Sequence, residues 1–392
     1  MVFPERFSNL PAYAFPRLRA LLDAHAPGGE VLQLTIGEPR HAFPDFVGGT
    51  IASNTNGFGM YPPNEGTPEL LDAISAWLRR RFGVVLAPER LMVLNGTREG
   101  LYNAAMALCP ERKNGAQPVV LTPNPFYQVY AIGALAAGAE PMYLPATRDT
   151  GFLPDFTAVP KDVLDRTAIA YLCSPSNPQG AVASPAYWRD LLALAEKHDF
   201  RIFSDECYSE VWRNERPVSA LQIADEIGAD PERVCAFHSL SKRSNLPGLR
   251  SGFVASGPET MKQLRQLRAY SGAPLPLPLM RAAEKVWADE AHVEASRLRY
   301  VTKYEIADAA FQGIDGWGAP DGGFFLWLPV EDGEEAAIRL WCERGVRVLP
   351  GAYLSREVRG QNPGNGYIRV AMVAEEQEMQ RGCEAIRDCL TR

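Results

Sequence analysis

The chain has 392 residues, with 40 Lys and Arg against 47 Asp and Glu, a net charge of −7 and 46% hydrophobic residues. A chain of this length and ordinary hydrophobicity exceeds what one small core serves, which favours a large domain with a smaller one and excludes wholesale disorder. The acidic balance offers no electrostatic grip on nucleic acid. The longest uncharged run, 119–139, is broken by Pro123, Asn124 and Pro125 and makes a poor membrane span.

In chain order, the opening "MVFPERFSNL" lacks the apolar centre of a targeting peptide. The first 45 residues are too short to stand alone and are expected to pack on a C-terminal module. They contain Gly37 in "LTIGEP", and Tyr61 follows in "YPPNEGTPELLDAI". "LNGTREGLYNAAMALC" sets Gly96, Thr97 and Arg98 ahead of a helix whose apolar face is Leu101, Ala104, Ala105 and Leu108. Such an N-terminus is either an ordinary helix start or an anion cradle of free N–H groups. Four apolar runs then end in turn-rich segments: "PVVLTPNPFY", "AIAYLCSPSNPQG", "FRIFSDECY" and "VCAFHSLSK". Near-continuous apolar strands alternating with amphipathic helices such as "SPAYWRDLLALAEKHD" predict a mostly parallel sheet covered on both faces. Tyr127, Asn177, Asp205, Tyr208 and Lys242 all lie at or just past strand ends, where open α/β sheets bind their ligands.

The last third reads as a smaller α+β module: one long helical stretch over 280–311, then "GGFFLWLPV", "AAIRLWCERG", "VRVLPGAYL" and "GYIRVAMV". The expected boundaries are 1–45, 46–283 and 284–392. Seven cysteines without a C-x-x-C pair read as buried reduced thiols in a cytoplasmic protein, and no metal-ligand spacing appears.

Singly, the polar residues admit plain readings: Asp205 as a helix cap, Asn177 as a turn residue, Tyr127 as core, Arg369 as half of a salt bridge. Arg369 inside the apolar strand "GYIRVAMV" does need a partner, because an unpaired buried guanidinium is costly. Lys242, in "HSLSKRSNLPGLRSG", is flanked by hydroxyls and by Arg243 and Arg250. A free lysine with a pKa near 10.4 is almost wholly protonated at pH 7, and neighbouring cations favour the neutral nucleophile. Both arginines are therefore assigned two tasks, holding a phosphate and keeping the amine neutral.

Taken in order, Gly37, Tyr61, the Gly96–Gly100 loop, Tyr127, Asn177, Asp205 with Tyr208, "SLSK" at Lys242, Arg250 and Arg369 resemble the pyridoxal-phosphate-dependent aminotransferases of class I, fold type I, over nearly the whole chain. The resemblance implies a large α/β domain with a small α+β one. It also implies covalent capture of pyridoxal 5'-phosphate by Lys242, which would later move the substrate proton. Asp205 would face the ring nitrogen, Tyr208 and Asn177 the ring oxygen, and Tyr127 the ring face. Gly96, Thr97, Arg98, Ser239 and Arg250 would hold the phosphate, with Tyr61 supplied by the second subunit of a homodimer. Arg369, with Asn177 and Gly37, would take the α-carboxylate of amino acid and keto acid substrates. The phrasing around Lys242 and "YSGAPLPLPLMRAA" is most similar to N-succinyldiaminopimelate aminotransferases, implying glutamate as donor and N-succinyl-2-amino-6-oxopimelate as acceptor. Arg40, Arg148 and Arg243 are the candidates for a distal carboxylate. Another amino-acid preference, a different reaction on the same cofactor such as β-elimination at a C–S bond and, more remotely, a non-catalytic cofactor-binding regulator are the alternatives.

Overall fold

The computed structural model describes residues 4–8, 10 and 12–390. Its centre is a seven-stranded sheet in the order Leu91–Leu94, Gly252–Ala255, Val234–Ser239, Arg201–Asp205, Thr167–Cys173, Val119–Asn124, Glu140–Pro145. Only Gly252–Ala255 runs antiparallel to its neighbours. Along the central strands successive residues bury on opposite faces. Ile202, Ala170 and Ala236 join Ile74, Trp77, Leu192 and Trp287 on one side, while Phe203, Tyr171 and Phe237 join Leu101, Ala105 and Tyr130 on the other. Period-two side chains that are apolar at every position require helices on both faces, the doubly covered sheet expected from the apolar runs.

The helices carry their own stop signals. Thr67 caps Pro68–Phe82 through the Leu70 amide, and Gly83 ends it in the left-handed region. Ser184 caps Pro185–His198, whose buried residues include the expected Leu191, Leu192 and Ala195. The long helical stretch over 280–311 is in fact two helices, Leu277–Ala288 and Ala291–Phe311. Asp289 breaks it by turning extended, and its carboxylate accepts from the His292 amide at the start of the second helix. Asx residues compete for backbone donors in this way, and apolar periodicity alone does not reveal it.

Beside the large sheet, Phe325–Pro329, Tyr367–Ala371 and Leu349–Pro350 form an antiparallel sheet with Tyr367–Ala371 in the middle. Helices Ala291–Phe311 and Glu376–Leu390 pack on each other alongside it. Leu32–Gln33 pairs in parallel with Val346–Arg347, so the early chain is bound to this smaller module. The seven cysteines are all unpaired; Cys173, Cys235, Cys383 and Cys389 are buried, whereas Cys109, Cys207 and Cys342 are half-buried. Among the described residues, no helix is long and apolar enough to cross a membrane, and no group of His, Cys, Asp and Glu is arranged to hold a metal ion.

Candidate active site

Four of the large sheet's strands end at one place. Asn124, Cys173, Asp205 and Ser239 are the last residues of Val119–Asn124, Thr167–Cys173, Arg201–Asp205 and Val234–Ser239. Beyond three of these ends, and against the smaller module, lies a cavity of about 360 Å³. Gly37, Thr97, Arg98, Tyr127, Asn177, Asp205, Tyr208, Ser239, Lys242, Arg250 and Arg369 all line it. Two of the residues expected to bind the cofactor do not. Gly96 sits behind the wall, and Tyr61 is fully exposed away from the cavity.

Lys242 comes from the one-turn helix Leu240–Arg243, capped by the Ser239 hydroxyl, which accepts from the Ser241 amide at 3.1 Å. Its Nζ donates to the Gly37 carbonyl and stands 5.3 Å over the Phe324 ring. Gly37 must be glycine for this approach, since a Cβ there would fall 2.4 Å from Phe325 Cζ. Burial, chiefly, and then Arg369 and Arg250 push the amine down to about 8, although Cys207 and Glu38 pull the other way. Arg243 plays no part in this. It is buried under Trp77 and Trp287, and donates to the carbonyls of Val286 and Asp289 and to Glu290. Of the two neighbouring arginines expected to share the phosphate and the softening of the amine, only Arg250 lines the cavity, because the helix turn points consecutive side chains in different directions.

Asp205 is buried; its Oδ2 accepts from the Tyr130 hydroxyl at 2.7 Å and its Oδ1 from the Cys207 amide at 3.3 Å. Burial pushes its carboxyl above the usual range despite those bonds, the mark of a carboxylate with too little positive charge nearby. Tyr130, stacked 4.5 Å from Tyr171, escaped the sequence reading. Its apolar neighbours Ala131 and Ala134 make it look like core, and only the fold turns its hydroxyl to Asp205.

The helix Thr97–Leu108 opens on the cavity with Thr97 and Arg98, and a helix N-terminus favours an anion. Gly96 caps it at φ 83°, and a Cβ there would fall 1.9 Å from Arg250 Nη2, so the loop and Arg250 are packed against each other. The Arg98 guanidinium turns aside to donate from Nε to the Tyr127 hydroxyl at 2.7 Å. Tyr127 in turn meets Tyr130 edge-on at 5.7 Å.

Across the cavity, Arg369 is buried on the smaller module's central strand. Its Nη1 donates to Asn177 Oδ1 at 3.0 Å and its Nη2 to the Thr35 carbonyl at 2.7 Å, while Phe325 lies 4.1 Å beneath it. No carboxylate pairs with it among the described residues, its Nε has no partner, and burial pushes it down to about 10. Asn177 also donates to the Tyr208 hydroxyl at 3.4 Å, joining the guanidinium to the tyrosine. Of the other arginines considered, Arg40 is taken up by Glu378 and the Gln33 carbonyl, and Arg148 by the Gly316 carbonyl in a different cleft.

These groups fit pyridoxal phosphate: a buried carboxyl short of a cation for the ring nitrogen, a helix N-terminus with Arg250 for the phosphate, and a softened amine for the aldehyde. The comparisons agree. The profile of the family "Aminotransferase class I and II" matches residues 29–386. An LL-diaminopimelate aminotransferase of Dehalococcoides mccartyi is 31% identical over 394 residues, covering 97% of each chain. The 4-dedimethylamino-4-oxo-anhydrotetracycline transaminase OxyQ of Streptomyces rimosus is 33% identical over 359 residues, 91% of this chain and 92% of that one. An aminotransferase structure from Neisseria meningitidis superposes with a TM-score of 0.94 at 34% identity, covering 99% of this chain and all of its own. On these grounds the chain belongs to the class I and II aminotransferases and uses pyridoxal phosphate.

Proposed function

We propose that the protein transfers the amino group of glutamate to N-succinyl-2-amino-6-oxopimelate, a diaminopimelate-type keto acid, in the cytoplasm and as a homodimer. The observation that carries the carboxylate-handling part is Arg369: a buried guanidinium without a carboxylate partner, opening on the same cavity as Lys242. A planar fork held on Asn177 and Thr35 is built to take an α-carboxylate in a bidentate pair. Both substrates also carry a second carboxylate. With Arg250 at the phosphate cradle and Arg369 at the α-carboxylate, Arg98 is the remaining cavity arginine; among the described residues its guanidinium meets the hydroxyls of Tyr127 and Tyr13 but no carboxylate. We assign the distal carboxylate to it.

Pyridoxal phosphate, when bound, supplies the electron-withdrawing ring that makes the substrate Cα–H acidic. The chain does the rest. Asp205, ionised once it faces a cation, would hold the ring nitrogen protonated. The Thr97–Arg98 amides and Arg250 would hold the phosphate. Lys242 Nζ would hold the aldehyde and move the substrate proton, and Tyr127 would pack against the ring. In support of the dimer, Phe58, Met60 and Tyr61 are exposed in one short stretch, and Tyr270 is 91% exposed close by, where Arg268 holds the Asn64 carbonyl.

A second reading, transamination of LL-diaminopimelate itself, is favoured by the names of the relatives. Titrating the holoenzyme's visible band separates the two. Under the proposal, glutamate bleaches the band and the succinylated keto acid restores it, while LL-diaminopimelate bleaches it poorly. Ready bleaching by LL-diaminopimelate and no response to the succinylated acid would establish the second reading. Restoration by oxaloacetate or pyruvate alone would overturn both.

A further inference from the structure

Beneath the α-carboxylate clamp lies a buried cation that nothing above uses. Lys303, on helix Ala291–Phe311, is 0% exposed. Its Nζ donates to His41 Nε2 at 2.6 Å and to the Met372 carbonyl at 2.9 Å. These two partners belong to the two arms of the clamp. Met372 directly follows Tyr367–Ala371, the strand that carries Arg369. His41 ends the segment whose Thr35 carbonyl holds Arg369, whose Gly37 carbonyl holds Lys242, and whose Leu34 carbonyl accepts from Ala371 at 2.8 Å. One ammonium therefore joins both backbone arms. The packing is continuous to the reacting end: His41 meets Tyr300 edge-on at 5.7 Å, Tyr300 stacks on Phe324 at 5.6 Å, and Phe324 lies under Lys242 Nζ and against Tyr208 at 5.2 Å.

The pair shares one proton in either of two ways: Nε2 of His41 accepts from the Lys303 ammonium while Nδ1–H faces Glu375 at 3.4 Å, or Nδ1 accepts from Arg299 while Nε2–H donates to the neutral amine. Arg299 Nη1 lies 3.2 Å from the same Nδ1 and 3.4 Å from Glu375. Arg40, held by Glu378, and Glu376 complete the charges around the pair. Burial above all, and then Lys303, hold His41 below its ordinary value, and burial pushes Lys303 down to about 7. A second proton would set two buried cations in contact with Arg299 behind them, and a repulsion of that kind is relieved by separating the arms.

We propose that Lys303 and His41 are positioning residues of the carboxylate clamp: one shared proton holds its two arms at the spacing a substrate carboxylate needs, and a second proton spreads them. The proposal rests on the reading of Arg369 as that clamp. Holoenzymes carrying Lys303→Met, Lys303→Arg, His41→Gln and Arg369→Lys are to be titrated with glutamate across pH 5.5–8.5, following the visible band, KM, kcat and thermal unfolding. Lys303→Met should raise KM about tenfold with kcat within about threefold, and Lys303→Arg should recover much of that loss. In the wild type, KM should rise as pH falls well below 6.5, since His41 is held beneath the ordinary histidine range, and His41→Gln should flatten that rise. Loss of thermal stability with wild-type KM at every pH in both His41→Gln and Lys303→Met would overturn the proposal, as would a fall in kcat alone. If Lys303→Met does not fold, the pH profile of His41→Gln decides by itself. An unchanged KM in Arg369→Lys would overturn the clamp and the proposal with it. A raised KM there beside an unaltered His41→Gln profile would overturn only the positioning role.

Discussion

Lys242 shows how little of a residue's chemistry its neighbours in sequence determine. With the amine at about 8, about one in ten is neutral at pH 7, against about one in three thousand for an ordinary lysine. The sign follows directly: a base with a lowered pKa gains its nucleophilic form as pH rises toward 8 and gains little beyond. Capture of pyridoxal phosphate by the apoprotein should therefore accelerate between pH 6 and 8 and level off above, as stopped-flow absorbance would record; a rise continuing to pH 10 would return Lys242 to an unperturbed state. Lys242→Ala should abolish the visible band and transamination while far-UV circular dichroism stays native. Tyr130→Phe removes one hydrogen bond to a buried carboxylate, worth roughly 1.5–3 kcal/mol, and should lower kcat/KM at least about tenfold. Wild-type kinetics in that variant would show that Asp205 needs no help from Tyr130. Asp205 and Arg369 were legible as candidates because polar groups in apolar strands must be satisfied, and Lys242 because hydroxyls and arginines flank it. Tyr130 was not, because a tyrosine on an apolar helix face looks the same whether its hydroxyl meets a carboxylate or a carbonyl.

At the scale of elements, the loop and helix around Gly96 carry the phosphate end. The pattern Gly-Thr-Arg before Leu101, Ala104, Ala105 and Leu108 announced the helix Thr97–Leu108, and the start lies where the glycine allows it. What the pattern could not announce is that Gly96 packs on Arg250, about 150 positions later in the chain. Gly96→Ala puts a side chain at φ 83° and 1.9 Å from Arg250 Nη2. The variant should bind pyridoxal phosphate about tenfold more weakly, with Arg250 displaced from the cradle, as equilibrium titration of the apoprotein would measure. Unchanged affinity would mean that Arg250 does not hold the phosphate. The same limit explains the helical stretch over 280–311: its apolar spacing predicts helix throughout, whereas the break at Asp289 depends on which backbone donors a short carboxylate finds.

For the whole molecule, the open question is assembly. Tyr61 is 103% exposed and lies off the cavity lining, which is how a residue serving a second subunit's site should look in one chain. Mixing inactive Lys242→Ala with defective Tyr61→Ala tests this. In a twofold dimer the mixed species has one doubly defective site and one intact site, so re-association should restore up to about a quarter of wild-type activity if Tyr61 acts across the interface. No gain over the parent variants, with mixed dimers shown by mass spectrometry, would place Tyr61 elsewhere.

The sequence by itself determined the alternation of apolar strands and amphipathic helices, hence a covered parallel sheet, and the ordered polar residues at its strand ends. Both are local consequences of backbone period and of the need to satisfy buried polar groups. Tertiary structure alone decided which arginine faces the cavity: Arg250 and Arg98 do, whereas Arg243, adjacent to Lys242 in the chain, is buried beneath two tryptophans. Direction and desolvation decide a charge's role, and both are set by packing between residues far apart in the chain.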